Sequence, residues 1–421
     1  MEVPERAGLA AEFVRGAGGP CVVVGRTWSA GARPDDAPPV AVAVEHGAIA
    51  FIGAPETLPD RFAHAPRCDA GLVTPGLVDA HTHAAWVGSR HHEYVQKLAG
   101  EGYEVIAARG GGIVASMRAI EAATEDEIVR TLRARLTRMA AMGVTTVEVK
   151  SGYGLRPALE RKQLRAIAEV GRDPQLPRIV PTFLALHALP PESRVSSEAR
   201  AAYVEGACRE VGPVAREGLA RFVDAYVDRN AFTVEEARKL AIAARDAGLP
   251  LRLHVGQFAD VGGAELAAEF RARSVDHLEN VGARGRDALA AAGVFATLLP
   301  TASFVLDQAP PDVPALRAAG VRMCVASDAN PGTAPTESLP LAMALAARTY
   351  RLTLDEVLSG ATCHAAASLD LPGHGALAVG RPADLVAWDL PHEAALIAPW
   401  GTPRATLVLR DGIVIGGDAI A

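Results

Sequence analysis

Eight short apolar runs, spaced through the middle of the chain and separated by Ala- and Arg-rich stretches, set the narrowest limit on what this sequence can become. They read TPGLVDAH, VTTVEVK, RIVPTFLAL, FVDAYVD, PLRLHV, SVDHL, VFATLLP and VRMCVAS. Each is strand-sized, and most are continuous apolar runs of the kind found where a parallel strand is buried on both faces. The stretches between them, including EDEIVRTLRARLTRMAAM, ALERKQLRAIAEV, TVEEARKLAIAARDAG and RDALAAAG, have helical character. Eight strand–helix units in about 300 residues predict a (β/α)8 TIM barrel. An open, doubly wound sheet is the competing arrangement.

The two ends of the chain read differently. CVVVG, VAVAV and AIAFIG near the start, and ADLVAWDL, ATLVLRDG and GIVIGG near the end, are short β-branched runs set off by Gly- and Asp-rich turns, with RTWSAGARPDDAPP the longest turn-rich stretch. They predict one small composite β-sandwich domain, with residues 1–74 and 371–421 contributing its two halves and the barrel occupying 75–370. A chain of 421 residues that is 49% hydrophobic can bury both cores. The net charge of −7 and the lack of a basic run argue against nucleic acid as a partner. Five scattered cysteines suit a reducing compartment. The charged start MEVPERAGLAAEFVRG lacks the apolar stretch of a signal peptide, and the run VFATLLPTASFVL is too short to span a bilayer. A cytoplasmic protein without a membrane partner is expected.

In a barrel of this kind chemistry sits at the C-terminal ends of the strands. His81, His83, Lys150, His187, His254, His277 and Asp328 all fall at or just after such an end. In extended backbone His81 and His83 point to the same side, so both imidazoles can reach one metal ion. A bare His-x-His pair is weak evidence taken alone. With His254 and Asp328 on other strand ends it becomes three imidazoles and a carboxylate, a set suited to zinc or ferrous iron with room for water. His277 reads as a group that hydrogen-bonds that water and moves a proton, although it could also be a ligand. Asp276 beside it would point to the opposite face of a strand and reads as structural. Asp328 has two available roles, ligand and general base. Arg90 in GSR suits a carboxylate, Tyr153 sits in the glycine-rich SGYG, and Asn330-Pro331-Gly332-Thr333 follows Asp328 with donors for an anionic group. Each of these three is weak by itself.

PGLVDAHTH, His254, His277 and SDANPG resemble the amidohydrolase superfamily, a barrel with His-x-His on strand one, His on strands five and six, and Asp on strand eight. GALAVGRPADLVAWD is similar to that superfamily's return into its small β domain. Within it, GSRHHEY, ARGGGI, EVKSGYGL, LALHALP, GGAELA, VDHLE, LLP and SDANPGTAPTE resemble the imidazolonepropionase family in wording and order, from about residue 75 to 340. The resemblance implies one zinc or iron ion per subunit held by His81, His83, His254 and Asp328. It also implies catalytic roles for His277 and Asp328, and substrate contacts from Arg90, Tyr153, His187, Gln257, Asn330, Gly332 and Thr333. It further implies hydrolysis of a cyclic amide and a homodimer. Some family members carry Glu where this chain has Gln257, and Gln cannot act as a base. The stretch AYVDRNAFT departs from the family wording and reads as variation behind the site. Other amidohydrolases, such as a deaminase or a two-metal enzyme bridged by carboxylated Lys150, and a catalytically silent barrel are the competing readings.

Overall fold

A computed structural model describes residues 13–29, 37–102, 105–106, 109–398, 400 and 405–417. The first twelve residues, and residues 30–36 of the turn-rich stretch, lie outside the described residues. The eight apolar runs form eight parallel strands in chain order: β5 (Leu77–Asp79), β6 (Val144–Lys150), β7 (Arg178–Leu186), β8 (Phe222–Val227), β9 (Leu251–Val255), β10 (Ser274–His277), β11 (Phe295–Leu298) and β12 (Met323–Val325). Most of their residues are buried, which is why the runs show no alternation. The helices between them pack an apolar stripe against the strands. Those at Glu125–Ala141, Val234–Asp246 and Leu354–Gly360 each begin with a reciprocal capping box, Thr124–Glu127, Thr233–Glu236 and Thr353–Glu356.

The ring closes beyond the ends of β5 and β12 rather than along a regular ladder. The Asp328 amide donates to His81 O (3.1 Å), the His83 amide donates to Ala329 O (3.0 Å), and Thr82 bridges Ala329. Below this seam, the amide and hydroxyl of Ser327 both donate to the buried Asp79 carboxylate (3.0 and 2.6 Å). Closure therefore brings His81, His83 and Asp328 side by side.

The small domain is built from both ends, as expected. Strands β1 (Cys21–Thr27), β2 (Val40–Glu45), β3 (Ala48–Gly53), β4 (Arg67–Pro75), β13 (Leu385–Trp388), β14 (Ala405–Arg410) and β15 (Ile413–Gly416) form one seven-stranded sheet in the order β15-β14-β13-β4-β1-β2-β3. Every pairing is antiparallel except β1 with β4. Val23, Val42, Ile49, Val73, Leu385, Leu407 and Val414 share a single core, so the layers of the sandwich are two parts of one curled sheet. Leu72, Val386, Trp388, Val408 and Ile415 on the other face join the barrel's core. The run TPGLVDAH straddles the two domains: Thr74 and Pro75 end β4, and β5 starts at Leu77. Gly76 makes the junction because a Cβ there would overlap the Thr145 side chain.

Candidate metal centre and active site

The imidazoles of His81, His83 and His254 converge, each offering a nitrogen within 4.8 Å of the others, and all three side chains are buried. His81 Nε2 lies 3.4 Å and His83 Nε2 3.5 Å from Asp328 Oδ1, and the Nε2 atoms of His83 and His254 are 3.4 Å apart. Two of the three outer nitrogens are held from behind. His81 Nδ1 donates to Asp276 Oδ2 (2.7 Å), and His254 Nδ1 donates to the Asp224 carboxylate (3.1 Å), whereas His83 Nδ1 has no hydrogen-bond partner. The His81 and His254 rings are thereby turned with Nε2 toward the common point. His81 Nε2 has no hydrogen-bond partner although it is buried. This donor set fits a metal ion: a buried, unpartnered imidazole nitrogen faces two others and a carboxylate.

The electrostatics agree with that fit. Burial, reinforced by the neighbouring imidazoles, pushes His83 well below its ordinary value, and burial also lowers His254. Both are therefore neutral bases, the form that ligates. His81 differs. Burial and Lys150 favour its neutral form, but Asp276 and Asp328 outweigh them and raise it to about 9, so a metal ion binding there would have to displace a proton. Asp328 is depressed despite burial, chiefly by the His81 imidazole beside it, and is a carboxylate at neutral pH.

Backbone strain marks the same place. His277, Leu278 and Asp328 have φ of +84°, +71° and +56°, values that side-chain-bearing residues rarely adopt. The turn at His277 breaks the strand alternation. Asp276 therefore reaches His81 while His277 still faces the chamber, which corrects the expectation of a structural Asp276 on the far face. His277 Nδ1 and Glu279 Oε2 are 3.8 Å apart, and neither has a hydrogen-bond partner. Glu279 is fixed by Ser303, whose hydroxyl donates to Oε1 (2.6 Å).

Around this point lies a chamber of about 60 Å3 walled by Arg90, Tyr153, His187, Gln257, Asn330 and Thr333 along with His83, His254, His277 and Asp328. It adjoins a vestibule of about 770 Å3, the two sharing Ile113, His187, Tyr226 and Phe258 as walls. His187 Nδ1 lies 2.7 Å from Gly152 O. A carbonyl can only accept, so His187 carries its proton on Nδ1 and turns Nε2 to the site. Burial, helped by His254, pushes its pKa down to about 3, so it acts as a neutral acceptor. Arg90 is almost fully buried, with Nε and Nη2 donating to Glu93 Oε2 (2.8 and 2.6 Å).

Two expectations change in detail. Asn330 Oδ1 accepts from the amides of Gly332 and Thr333 (2.8 and 2.7 Å), and its Nδ2 donates to Asp328 O (2.7 Å). These donors therefore shape the loop and hold Asp328 rather than projecting toward an anion, and Gly332 packs on Arg90. The stretch AYVDRNAFT is not behind the site. Tyr226 lines the chamber and donates its hydroxyl to Gln257 Oε1 (2.6 Å), while Asp228 accepts from the Phe258 amide (2.9 Å). Tyr226, Asp224 and Glu279 are the residues that sequence reasoning missed. The one available signal was that Asp224 and Tyr226 share a strand face, two residues apart.

The Amidohydrolase family profile matches residues 72–417. The chain is 45% identical over 403 residues to the imidazolonepropionase of Polaromonas sp., covering 93% of this chain and 94% of that one. It is 44% identical to the imidazolonepropionase of Paracidovorax citrulli, over 91% and 92% of the two chains. Among solved structures, the 5-methylcytosine deaminase of Klebsiella pneumoniae liganded with 5-fluorocytosine superposes with a TM-score of 0.74 at 20% identity, over 95% of this chain and 98% of that one. A triazine hydrolase variant gives 0.70 at 17% over 95% of each chain. These two likenesses concern the fold alone. With its three imidazoles and Asp328 gathered where the barrel closes, the chain belongs to the amidohydrolase family and, within it, to the imidazolonepropionases, which are hydrolases.

Proposed function

We propose that this chain hydrolyses 4-imidazolone-5-propanoate, opening a ring C–N bond to give N-formimino-L-glutamate in histidine degradation. The observation that carries this reading is the meeting, in one chamber, of the three-imidazole centre with Asp328, Arg90, Tyr153, His187 and Gln257, in a chain 45% identical to a protein of that name. One zinc or iron ion held by His81, His83, His254 and Asp328 would supply a Lewis acid for the ring carbonyl and make water nucleophilic near neutral pH. Asp328, ionised at that pH, takes the proton of the attacking water and returns it to the departing ring nitrogen. His277 donates to the oxyanion that forms at the carbonyl. Arg90 pairs with the propionate, and Tyr153 and His187 orient the ring. Gln257, its carbonyl oxygen engaged by Tyr226, offers its amide N–H to the ring and takes no part as a base.

We extend the reading to a cytoplasmic homodimer without nucleic-acid or membrane partners. Five free cysteines and a net charge of −7 support the compartment and the lack of nucleic acid, and family likeness supports the dimer. Among the described residues no helix is long and apolar enough to cross a membrane. The test is turnover of imidazolonepropionate against a panel of pyrimidine and guanine substrates, with metal quantified in the same preparations. Preference for a panel member over imidazolonepropionate would replace this substrate assignment.

A further inference from the structure

Directly beneath the three-imidazole group lies a second cluster that could hold a cation: Asp224, His254 and Asp276, with ligand atoms within 4.8 Å of one another. A side chain already supplies that charge. Lys150, wholly buried at the end of β6, places Nζ 2.8 Å from Glu148 Oε1, 2.9 Å from Asp224 Oδ2 and 3.6 Å from Asp276 Oδ2. All three carboxylates are fully buried too. Arg252 approaches from the other side, 3.8 Å from Asp276 and 4.0 Å from Glu148, anchored by bonds to Ser368 O and Ala80 O. Three buried carboxylates thus share two cations, and Lys150 touches the two that matter for the centre above. Asp224 orients His254, and Asp276 orients His81.

We propose that Lys150 is a positioning residue whose ammonium takes the place of a cation between Asp224 and Asp276, tying one to the other and so fixing two metal ligands that come from different strands. The proposal rests on the metal centre described above. A carboxylated Lys150 is incompatible with it, because a carbamate anion would face three carboxylates at the distance of an ion pair. Lys150 Nζ reaches both Asp224 Oδ2 and Asp276 Oδ2, so without it each carboxylate loses the cation that holds it against the other. A carboxylate free to turn on its own strand no longer holds its imidazole N–H in one direction, and the ring it supports loses its fixed orientation.

Zinc affinity of the full-length protein, measured by competition with a chromophoric chelator, separates the possibilities. Thermal unfolding and imidazolonepropionate turnover are followed in parallel. Wild type is expected to bind one zinc. Lys150→Met should bind it about 10- to 100-fold more weakly, the usual effect of removing a group that supports a ligand from behind. The double variant Lys150→Met/Glu148→Gln removes one positive and one negative charge together, so it should recover thermal stability without recovering zinc affinity. Wild-type affinity in Lys150→Met, or affinity that returns with stability in the double variant, reduces Lys150 to a structural residue and overturns the proposal. Two zinc ions per wild-type chain overturn it without any variant being needed. If wild type binds no zinc, the metal reading falls as well. If it binds zinc but leaves imidazolonepropionate intact, only the substrate assignment falls.

Discussion

Replacing Gly332 with alanine should damage substrate binding while leaving the fold alone. Its φ is not among the left-handed ones, so the backbone accepts a Cβ. The new methyl, however, would lie 2.5 Å from Cζ and 2.8 Å from Nη2 of Arg90, and closer still to Nη1. Ordinary contacts are about 3.5–4.0 Å, so the guanidinium must retreat by about 1 Å. Arg90 is the far end of a flexible side chain, and moving it costs little stability. It is also nearly buried and paired with Glu93, so its retreat changes the aim of the fork. A misplacement of about 1 Å costs on the order of 100-fold in kcat/KM, or about 2.7 kcal/mol of transition-state binding. Because Arg90 is assigned to the propionate, away from the bond that breaks, the loss should appear mainly in KM. The assay is steady-state hydrolysis of imidazolonepropionate by Gly332→Ala, Arg90→Ala and the double variant. Gly332→Ala should add nothing in the Arg90→Ala background. An unchanged KM, or an equal loss in both backgrounds, would refute the reasoning.

Asp328→Asn should lower kcat by at least about 100-fold, the usual yield of a positioned acid–base group; near-normal turnover would remove Asp328 from the proton path. Asp384 lies between domains, accepting from His374 and from Arg178 (2.9 and 2.7 Å). Burial opposes its charge, yet these two partners hold its pKa below the ordinary carboxylate value. Its stabilisation is therefore complete above about pH 4 and is lost as pH falls through the depressed folded value. Asp384→Asn should lose about 3 kcal/mol at neutral pH, the low end for breaking a buried pair. It should also show a flatter acid limb in urea unfolding, and a limb parallel to wild type would count against this account. Gly143 has φ +89°, and a Cβ there would lie 2.8 Å from Cζ2 of the fully buried Trp388. Gly143→Ala should cost about 3 kcal/mol through backbone strain and overpacking together. A change under about 0.5 kcal/mol in chemical denaturation would contradict it.

The barrel strands were legible because burial on both faces leaves an unbroken apolar signature that local sequence carries. The ligands were legible because each sits where such a run turns polar. What sequence could not supply depends on departures from regular backbone or on distant partners. Asp276 was misplaced because the alternation rule holds only while φ stays extended, and His277 departs from it. Tyr226 looked peripheral because nothing local says that Gln257 will meet its hydroxyl. Asn330 has the composition of an anion-binding loop, yet its amide spends those bonds within its own turn. The charge network of Glu148, Lys150, Asp224, Arg252 and Asp276 comes from four strands, and only the closed barrel assembles it.

The seam between β4 and β13, where Pro75 lies opposite Leu385, joins positions separated by the whole barrel. Closing a flexible loop of that length costs about 5 kcal/mol beyond a fixed term, and a folded barrel removes the cost by bringing its own ends together. The order of assembly follows: during synthesis β4 emerges early and presents an open strand edge until the last part of the chain arrives. A barrel that closes in the wrong register leaves that edge uncovered, available to proteases or to other nascent chains. The terminal sheet is thus complete only where a closed barrel has brought β4 and β13 side by side.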